Sequence, residues 1–587
     1  MVRILRARLG DAERGLSLVI VISVGAVLTL LMTVMMSYGM TAYQKSAEDE
    51  RWNAAIAAAY AGVDEYLSRL ASDPTYVRYG NPASAFSAGG DVVAPPASDE
   101  NPAFGIGEAG PWATVPGSDG DASFRYEVDD SEYLTTGTLR LRSTGRVGDA
   151  TRTIVAELRQ QGFIDFLYFT DYELQDPAFS GADPSCVRYE WENPRPTSCR
   201  NIAFGGNDVI NGPAHSNDTL RICDSTFRDQ VTTSNPNASP RWLPENSNGT
   251  ACGGQVFEVP GSPAFAATVG MPETNSQMRR EVRTDLGADV PRPGCLYTGP
   301  TEITLRSDGT ITVRSPWTRA TRVAGQPATT GTAPAECGDL SQLGSPTGAT
   351  FSPSDNNLIY VQNVPAVSTD PNYWGPGSRP SGLECRGEPG STVLGSSSSP
   401  APGNGIGYPM RDERAPDAAS YACRAGDVFT SGVLKGKLTI AAENYIYVTG
   451  DIRYADDNRD ILGLVGNNSI FVWNPVRDDR NALLSDTNRV IEAAMISVER
   501  TIQVQNFRYG GARGVLTIRG AMAQKYRGIV LQRNSSGVLG GYVKNYQYDP
   551  RLRFTSPPKF LSPVETTYGV NVWIETERAF RADGSPP

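Results

Sequence analysis

The chain has one histidine, His215, among its 587 residues, and its cysteines form no CxxC pair. Because a structural zinc site needs closely spaced cysteine or histidine ligands, this shortage argues against a zinc protein. A Walker phosphate loop, a dinucleotide-binding fingerprint and a GxSxG nucleophile motif are also absent from the sequence. The net charge of -11, without a dense basic patch, argues against nucleic acid as a partner. Structural, adhesive and carbohydrate-active classes remain open.

Cysteine is infrequent, but its distribution is informative. The number of cysteines is even, and none lies in the first 160 residues. The eight residues are Cys186, Cys199, Cys223, Cys252, Cys295, Cys337, Cys385 and Cys423. With metal binding disfavoured, they predict disulfides formed in an oxidising exterior. Pairing neighbours in order would close local loops, but the sequence leaves the connectivity open.

One long hydrophobic run occurs, at residues 16–36, where 21 consecutive residues carry no charge. As a helix it spans roughly 30 Å, the thickness of the bilayer hydrocarbon. A signal peptide usually has a shorter apolar core of about 7–15 residues and a small-residue cleavage site. The length of the run therefore favours a retained membrane helix. The leader, residues 1–15, contains four arginines, which predicts a cytoplasmic N-terminus and an extracellular body.

The helical pattern continues beyond the apolar run. Apolar residues recur there at alternating spacings of four and three, on one helix face. They are Trp52, Ile56, Ala59, Val63, Tyr66 and Leu70. The sequence predicts a single helix over residues 16–72, ended by Asp73-Pro74 because proline disfavours a helical residue before it.

The leader ending in Glu13-Arg14-Gly15, the apolar run opened by Leu16-Ser17 and the amphipathic segment AAIAAAYAGVDEYL resemble type IV pilins, in particular PilX-like minor pilins. The resemblance covers about the first 70 residues. It implies that a prepilin peptidase cuts between Gly15 and Leu16. It also implies that the helix anchors the subunit in the membrane and then packs against other pilin subunits in a filament.

Two positions depart from the pattern of major pilins, which begin with phenylalanine or methionine and have glutamate as the fifth mature residue. Here those positions are Leu16 and Ile20. The glutamate is missing in pilin-like subunits at filament tips, so the resemblance implies a tip position. The alternative is an ordinary single-pass anchor without cleavage or filament.

The fold class predicted for the rest is mainly β. Residues 73–160 are predicted to be a loop followed by a small antiparallel sheet, because alternating strands occur at 124–128, 139–143 and 153–158. Residues 161–570 are predicted to form a disulfide-containing β-rich domain, followed by a tail at 571–587. Two segments within that domain, Val323–Ala349 and Gly375–Ala401, are predicted to be long surface loops.

A repeated apolar pattern within that domain predicts a parallel β-helix. Three segments share the same offsets of +6 and +8: Ile440, Ile446 and Val448; Leu464, Ile470 and Val472; Ile496, Ile502 and Val504. In a β-helix such residues stack in successive turns. Leu516–Gln524 is a candidate for a further turn. A β-sandwich with irregular spacing is the alternative.

Few residues suggest chemistry. Asp456, Asp457 and Asp460, with Arg453 and Arg459 nearby, form a weak candidate for calcium or for carboxylate catalysis. They lie in a predicted turn, where acidic residues are usually solvated. His215 has no visible nucleophile partner, which favours a structural hydrogen-bonding role. The sequence predicts no enzyme and no cofactor.

Two classes of function follow. The first is a minor pilin-like subunit at a filament tip, whose ectodomain contacts a surface glycan or protein or takes part in pilus assembly. The second is a membrane-anchored enzyme that acts on extracellular polysaccharide on a β-helix.

Overall fold

The computed structural model describes residues 2–96, 101–106, 112–131, 133, 138–160, 162–206, 208–237, 240–383, 385, 403–414, 421–534, 537–553, 555–563 and 568–587. Contacts divide the chain into two compact units. The helix–sheet unit consists of Met1–Gln160 and Tyr568–Pro587, and the β-rich unit of Gln161–Thr567. The β-rich unit is thus an insertion in the sequence of the helix–sheet unit.

The helix–sheet unit begins with one long helix, α1 (Val2–Ser72). The predicted long helix is confirmed, and it ends one residue before Asp73-Pro74 as expected. It begins earlier than predicted, because the leader also has helical backbone. No proline precedes Pro74 in the sequence, so nothing interrupts the hydrogen-bond ladder between the leader and the apolar run.

A five-stranded antiparallel sheet completes this unit, in the order β1-β2-β3-β4-β31. Its strands are β1 (Ala113–Thr114), β2 (Ala122–Asp129), β3 (Thr138–Val147), β4 (Ala150–Gln160) and β31 (Tyr568–Thr576). The predicted small antiparallel sheet is confirmed. The segment predicted as a tail is not a simple tail, since Val572–Thr576 pair with β4. That pairing joins residues more than 400 positions apart, beyond the reach of local patterns.

One face of the second half of α1 packs on the sheet. Four of the six predicted core positions are fully buried: Ala59, Val63, Tyr66 and Leu70. The buried face begins later than predicted, because Trp52 is 51% exposed and Ile56 is half-buried. The Trp52 ring instead lies under the Arg152 guanidinium, 5.1 Å from it.

The predicted loop at 74–122 contributes to this core as well. Its described residues include the 3-10 helices Pro74–Arg78, Ala85–Ser87 and Pro102–Phe104. The rings of Tyr76 and Phe104 are buried and contact Tyr126 or Tyr66 of the helix–sheet core. A lack of periodicity therefore identified irregular backbone correctly but concealed its buried aromatic residues.

Gly145 of β3 allows α1 to lie close to the sheet. A Cβ atom at this position would be 2.1 Å from the Ala55 carbonyl oxygen and 2.3 Å from the Ala59 nitrogen. Both are backbone atoms of α1, so relief would require the helix to move. On the helix side, a Cβ atom at Gly62 would lie 2.5 Å from Ser143 Oγ.

The β-rich unit has strands β5 to β30 and two short helices, α2 (Pro177–Ser180) and α3 (Leu340–Leu343). Its first strands are β5 (Tyr168–Tyr172), β6 (Ala203–Phe204), β7 (Asp208–Asn211), β8 (Ala214–Ser216), β9 (Arg221–Ile222), β10 (Ser225–Phe227), β11 (Val231–Thr233), β12 (Val256–Phe257) and β13 (Ala264–Phe265). Next come β14 (Cys295–Thr298), β15 (Thr301–Leu305), β16 (Ile311–Arg314), β17 (Arg322–Ala324), β18 (Thr330–Thr332), β19 (Ala349–Phe351) and β20 (Asn357–Gln362). The last are β21 (Val428–Leu434), β22 (Lys437–Ala442), β23 (Ile446–Tyr454), β24 (Ile461–Gly466), β25 (Ile470–Val472), β26 (Arg489–Ser497), β27 (Ile502–Val504), β28 (Gly511–Tyr526), β29 (Leu531–Asn534) and β30 (Gly537–Tyr548).

Most of these strands form parallel rows in which a strand pairs with the one two places further along the chain. One row runs β20-β22-β24-β26-β28 and another runs β21-β23-β25-β27, where β21 also pairs with the earlier strand β15. The two halves of β28 then pair with β30 and with β5. Antiparallel pairs β15–β16, β16–β19 and β29–β30 belong to the same sheet, which is therefore mixed.

The predicted stacking is correct at most positions. Ile446, Ile470 and Ile502 are neighbours in parallel register, as are Val448, Val472 and Val504. In the row that contains β22 and β24, Ile440 lies beside Leu464, as predicted. The predicted turn at Leu516–Gln524 is a strand that pairs with β26.

The predicted neighbour of Leu464 in the stack is wrong by one residue. Leu464 pairs with Met495, whereas Ile496 pairs with Val465. The corner between β26 and β27 is one residue longer than the corner between β24 and β25. Because successive side chains of a strand point to opposite faces, this extra residue moves Ile496 to the other face.

The side chains on the two faces of these strands belong to separate hydrophobic cores. Ile440, Leu464 and Met495 belong to the larger apolar cluster. Ala441, Val465 and Ile496 belong to a second cluster, which loop residues such as Val282 and Leu561 cover. Both faces are therefore buried, as the nearly continuous apolar runs of β24 and β26 require.

The predicted surface loop at Val323–Ala349 is more structured than expected. Val323, Cys337 and Leu343 are fully buried, and the segment includes α3. Of the second predicted loop, Gly375–Ala401, residues 384 and 386–401 lie outside the described residues.

All eight cysteines form disulfides in the structure, and each pairs with its neighbour in sequence. The bridges are Cys186–Cys199, Cys223–Cys252, Cys295–Cys337 and Cys385–Cys423. They close loops with sequence separations of 13, 29, 42 and 38 residues. Of the Cys295–Cys337 bridge, Cys295 begins β14 and Cys337 ends a 3-10 helix, so this bridge ties a strand to a connecting segment.

We predict that Gly145→Ala destabilises the helix–sheet unit by about 1–3 kcal/mol, because overpacking displaces the α1 backbone. The measurement is hydrogen exchange of the β3 amides in the full chain. Gly89→Ala is the matched control, since its nearest neighbour would lie 3.4 Å away, at Ser131 Cβ. Equal protection in both variants would show that the contact at Gly145 relaxes without cost.

We also predict that replacing both Cys295 and Cys337 by alanine lowers the free energy of unfolding more than replacing both Cys186 and Cys199. All four residues are buried, so the main difference is the loop that each bridge closes. Chain entropy makes the larger loop worth about 1 kcal/mol more. Urea unfolding of the two double variants measures the difference, and equal costs would contradict the entropic explanation.

Candidate functional site

The first half of α1 is an exposed apolar surface. From Leu18 to Ser46 every side chain is exposed, including the apolar residues of the long hydrophobic run. Among the described residues, this is the one helix long and apolar enough to cross a membrane. Exposed apolar area of this extent is typical of a surface that lipid or another protein covers.

Four hydroxyl groups within this apolar half bind to the backbone of the helix itself. Thr29 Oγ1 donates to the Gly25 carbonyl oxygen at 2.6 Å, and Ser37 Oγ donates to the Thr33 carbonyl oxygen at 2.9 Å. Thr33 and Thr41 make equivalent bonds one turn back. Such internal bonds let a polar side chain lie in an apolar medium without an external partner.

The predicted processing site, Gly15 and Leu16, lies within the continuous helical backbone of α1. Ile20 also lies on the helix, with its side chain 55% exposed. An exposed isoleucine here adds to the apolar surface, where a glutamate would place a charge.

The acidic turn proposed as a weak calcium site has other partners for its carboxylates. Asp460 is buried, and its two oxygens accept hydrogen bonds from the backbone nitrogens of Gly436 at 2.8 Å and Asp456 at 2.6 Å. Asp457 forms an ion pair with Arg519 at 2.9 Å. Within the described part of the chain, no group of three side chains is arranged to hold a metal ion. These contacts give the turn a structural explanation.

His215 is buried on β8 and has a partner for each ring nitrogen. Nδ1 is 2.9 Å from Thr232 Oγ1, and Nε2 is 3.0 Å from Asn217 Oδ1. The ring stacks with Phe166 and Phe169 at centroid distances of 5.2 and 5.7 Å. Burial lowers the pKa of His215 to about 4, which keeps the imidazole neutral near pH 7. These contacts agree with the structural role expected from the sequence.

Two buried carboxyl groups of the β-rich unit have pKa values raised well above their usual range. Asp427 is fully buried, and Oδ1 accepts hydrogen bonds from Asn444 Nδ2 at 2.5 Å and from the Tyr445 nitrogen at 3.2 Å. Burial raises the pKa of Asp427 to about 7, against the opposing effect of these bonds. Glu413 accepts from the Tyr421 hydroxyl and the Met410 nitrogen, and burial raises its pKa to about 7. Tyr421, the partner of Glu413, belongs to a buried cluster of aromatic rings.

An open cleft of about 980 Å³ lies in the β-rich unit and is lined by many basic side chains. Two of these are neutralised: Arg527 Nη1 lies 2.8 Å from Glu173 Oε2, and Lys544 Nζ lies 2.7 Å from Asp208 Oδ2. Four others are exposed and have no carboxylate partner among the described residues: Arg200, Arg480, Arg508 and Arg533. The cleft therefore has an excess of positive charge in a chain whose net charge is negative.

Sequence reasoning missed this cleft. Its unpaired arginines come from four separate segments: after the Thr197–Cys199 turn, between β25 and β26, after β27, and on β29. None belongs to a basic cluster in the sequence. No local signal could have found them, because the strand pairing brings their segments together.

No protein-family model matches the chain, and no curated protein matches it in sequence. Among solved structures, the chain is similar to the competence-associated pilin ComZ from Thermus thermophilus, with 11% sequence identity and a TM-score of 0.25. The likeness covers 90% of this chain and 97% of that chain. A TM-score and an identity this low fix neither the fold nor the function of this chain.

We predict that Asp427 makes the β-rich unit less stable as the pH rises from about 4 to about 7. In this window the native aspartate, with its raised pKa, keeps a proton that the unfolded aspartate has lost, so the free energy of unfolding falls with pH. Asp427→Asn stays neutral and should remove this part of the pH dependence. The measurement is the midpoint of thermal unfolding between pH 4.5 and 8.

Asp457→Asn is the matched control, since its side chain is 58% exposed. It should follow the pH profile of the unaltered protein. If Asp427→Asn also follows that profile, the protonation of Asp427 does not contribute to stability.

Proposed function

We propose that the chain is a minor pilin-like subunit of a type IV pilus that presents a large β-rich ectodomain. One observation carries the proposal: α1 is exposed and apolar in its first half and packed on an antiparallel sheet in its second half. A pilin needs both halves, one for lipid and for neighbouring subunits and one to hold the globular head. The leader and the start of the apolar run resemble pilins in the same region of the chain.

In this proposal the apolar half of α1 first lies in the membrane, with the leader in the cytoplasm and the β-rich unit outside. After cleavage between Gly15 and Leu16, the same surface packs against other pilin subunits. The four disulfides support an oxidising exterior for the β-rich unit.

Ile20 supports a position at the filament tip. A buried glutamate without its partner would cost several kcal/mol, so a subunit lacking that glutamate is best tolerated where one neighbour is absent. The size of the insertion supports the same position, because Gln161–Thr567 would crowd a filament if every subunit carried it. A tip subunit would present the β-rich unit for adhesion or surface contact.

We also propose that the β-rich unit has a β-helix-like architecture. The parallel rows and the stacks at Ile446, Ile470 and Ile502 support this, although antiparallel strands join the same sheet. Such bodies often bind extended ligands along their length, and a surface glycan or protein is the expected class of ligand.

We propose a binding role for this unit and no enzymatic one. Polysaccharide hydrolysis typically uses a pair of carboxylates facing one bond. Among the described residues that line the basic cleft, Asp208 is the one carboxylate, and it is ion-paired with Lys544. A plain single-pass surface anchor is the second candidate, favoured by the departures at Leu16 and Ile20 from major pilins.

The proposal predicts that the native mature protein begins at Leu16 and that Gly15→Val prevents this cleavage. Gly10→Val is the matched control, because it makes the same change within the leader but away from the cut. Mass spectrometry of protein from the native cell measures the N-terminus. Antibody against residues 163–570 should label filament ends in electron microscopy for the unaltered protein and for Gly10→Val, but not for Gly15→Val.

A native N-terminus at Met1, or one beyond Tyr38, would contradict the pilin proposal. Label along the whole shaft would refute the tip position alone. Label confined to the membrane of cells without filaments would favour the plain anchor.

A further inference from the structure

The basic cleft of the β-rich unit has the charge of an anion-binding site. Arg200, Arg480, Arg508 and Arg533 all line it without a carboxylate partner in the described part of the chain. Clustered charges of one sign attract ligands of the opposite sign and raise their local concentration. Because the chain as a whole is acidic, this local excess is not a consequence of its composition.

Deeper in the cleft lies a guanidinium with spare hydrogen-bonding capacity. Arg527 is buried, and its Nη1 is held by Glu173 while its Cζ lies 3.6 Å from the centroid of the Phe204 ring. Its Nη2 is buried without a hydrogen-bond partner, as is the Tyr542 hydroxyl, which lines the same cleft. Buried polar groups are rarely left without partners, so ordered water beneath the surface of the cleft is the expected partner of both.

The remaining lining suits a sugar chain. Gln175, Asn248 and Gln532 offer amide groups, which both donate and accept hydrogen bonds as sugar hydroxyls require. Leu539 and Val543, which are exposed, provide apolar surface for the CH faces of sugar rings. A cleft that bound only a small anion would need neither these amide groups nor these apolar side chains.

A single-stranded nucleic acid is the competing polyanion, and the aromatic residues disfavour it. Such ligands stack their bases on exposed aromatic rings. The lining includes the rings of Tyr509 and Tyr542. The Tyr542 ring is fully buried, and the Tyr509 ring is occupied by Arg480 and Arg414 at 4.9 and 5.5 Å from its centroid. Neither ring is free to take a base.

We propose that this cleft binds an acidic polysaccharide, with guanidinium groups on its carboxylates or sulfates and amides on its hydroxyls. The inference rests on the proposed function, because the β-rich unit would meet the acidic polysaccharide outside the cell. Binding by the purified full chain nevertheless tests it separately from cleavage and filament assembly.

The test measures binding of the full chain in detergent to oligogalacturonate, to dextran sulfate and to unsulfated dextran by calorimetry. We expect salt-dependent binding of one or both anionic glycans and none of neutral dextran. The double variant Arg508→Glu, Arg533→Glu should weaken binding at least about tenfold. The matched control is Arg306→Glu, Arg453→Glu, two exposed arginines of the same unit that do not line the cleft. It should bind within about twofold of the unaltered protein.

Three results would overturn the inference: an equal loss in both double variants, equal binding of neutral dextran, or no binding of either anionic glycan. Tighter binding of a single-stranded oligonucleotide, weakened by the same cleft variant, would assign the cleft to nucleic acid instead. Unchanged near-UV circular dichroism in both variants establishes that folding is intact. Glycan binding by the full chain, together with a native N-terminus at Met1, would refute the pilin proposal while leaving this inference standing.

Discussion

The antiparallel pairing of β4 with β31 is the constraint on which both units depend. Tyr568 pairs with Gln160, so the chain returns to the helix–sheet unit at the position where it left. Contacts beyond the ladder strengthen the junction: Arg152 forms an ion pair with Glu575, and Thr151 Oγ1 donates to the Phe580 carbonyl oxygen at 2.9 Å. Because the entropy of closing a loop grows only with the logarithm of its length, such a junction tolerates a very large insertion.

Within the β-rich unit, the length of each connection between strands (its corner) determines which neighbours the side chains contact. Where two successive corners have the same length, as before Ile446 and Ile470, side chains stack on like side chains. Where a corner gains one residue, as after Ser497, the alternation shifts and Ile496 enters the second core. In the separate ladder between β5 and β8, the register places His215 beside Phe169, and the burial of His215 lowers its pKa. Corner length therefore decides which core Ile496 joins, and register decides the neighbours of His215.

The features that support function lie on different units and use opposite chemistry. The helix–sheet unit offers apolar surface on α1, where even the hydroxyls of Thr29 and Ser37 are satisfied internally. The β-rich unit offers a cleft lined by guanidinium groups, such as those of Arg508 and Arg533, that have no carboxylate partner among the residues the structure describes. In the proposals made above, the surface of α1 would have to exclude water and charge for assembly, whereas the cleft would have to attract charge from solution to bind an acidic glycan. Two units with separate cores allow both within one chain.

Local sequence patterns were sufficient to predict the long helix, the three central strands of the small sheet and the aliphatic stacks of β23, β25 and β27. Each of these rests on a local period, which the residues of one segment carry alone. Only the tertiary structure decided the pairing of β31, the neighbour of Leu464, the disulfide connectivity and the cleft around Arg527. These depend on contacts between segments tens to hundreds of residues apart, and no local pattern specifies which distant strand will become the neighbour.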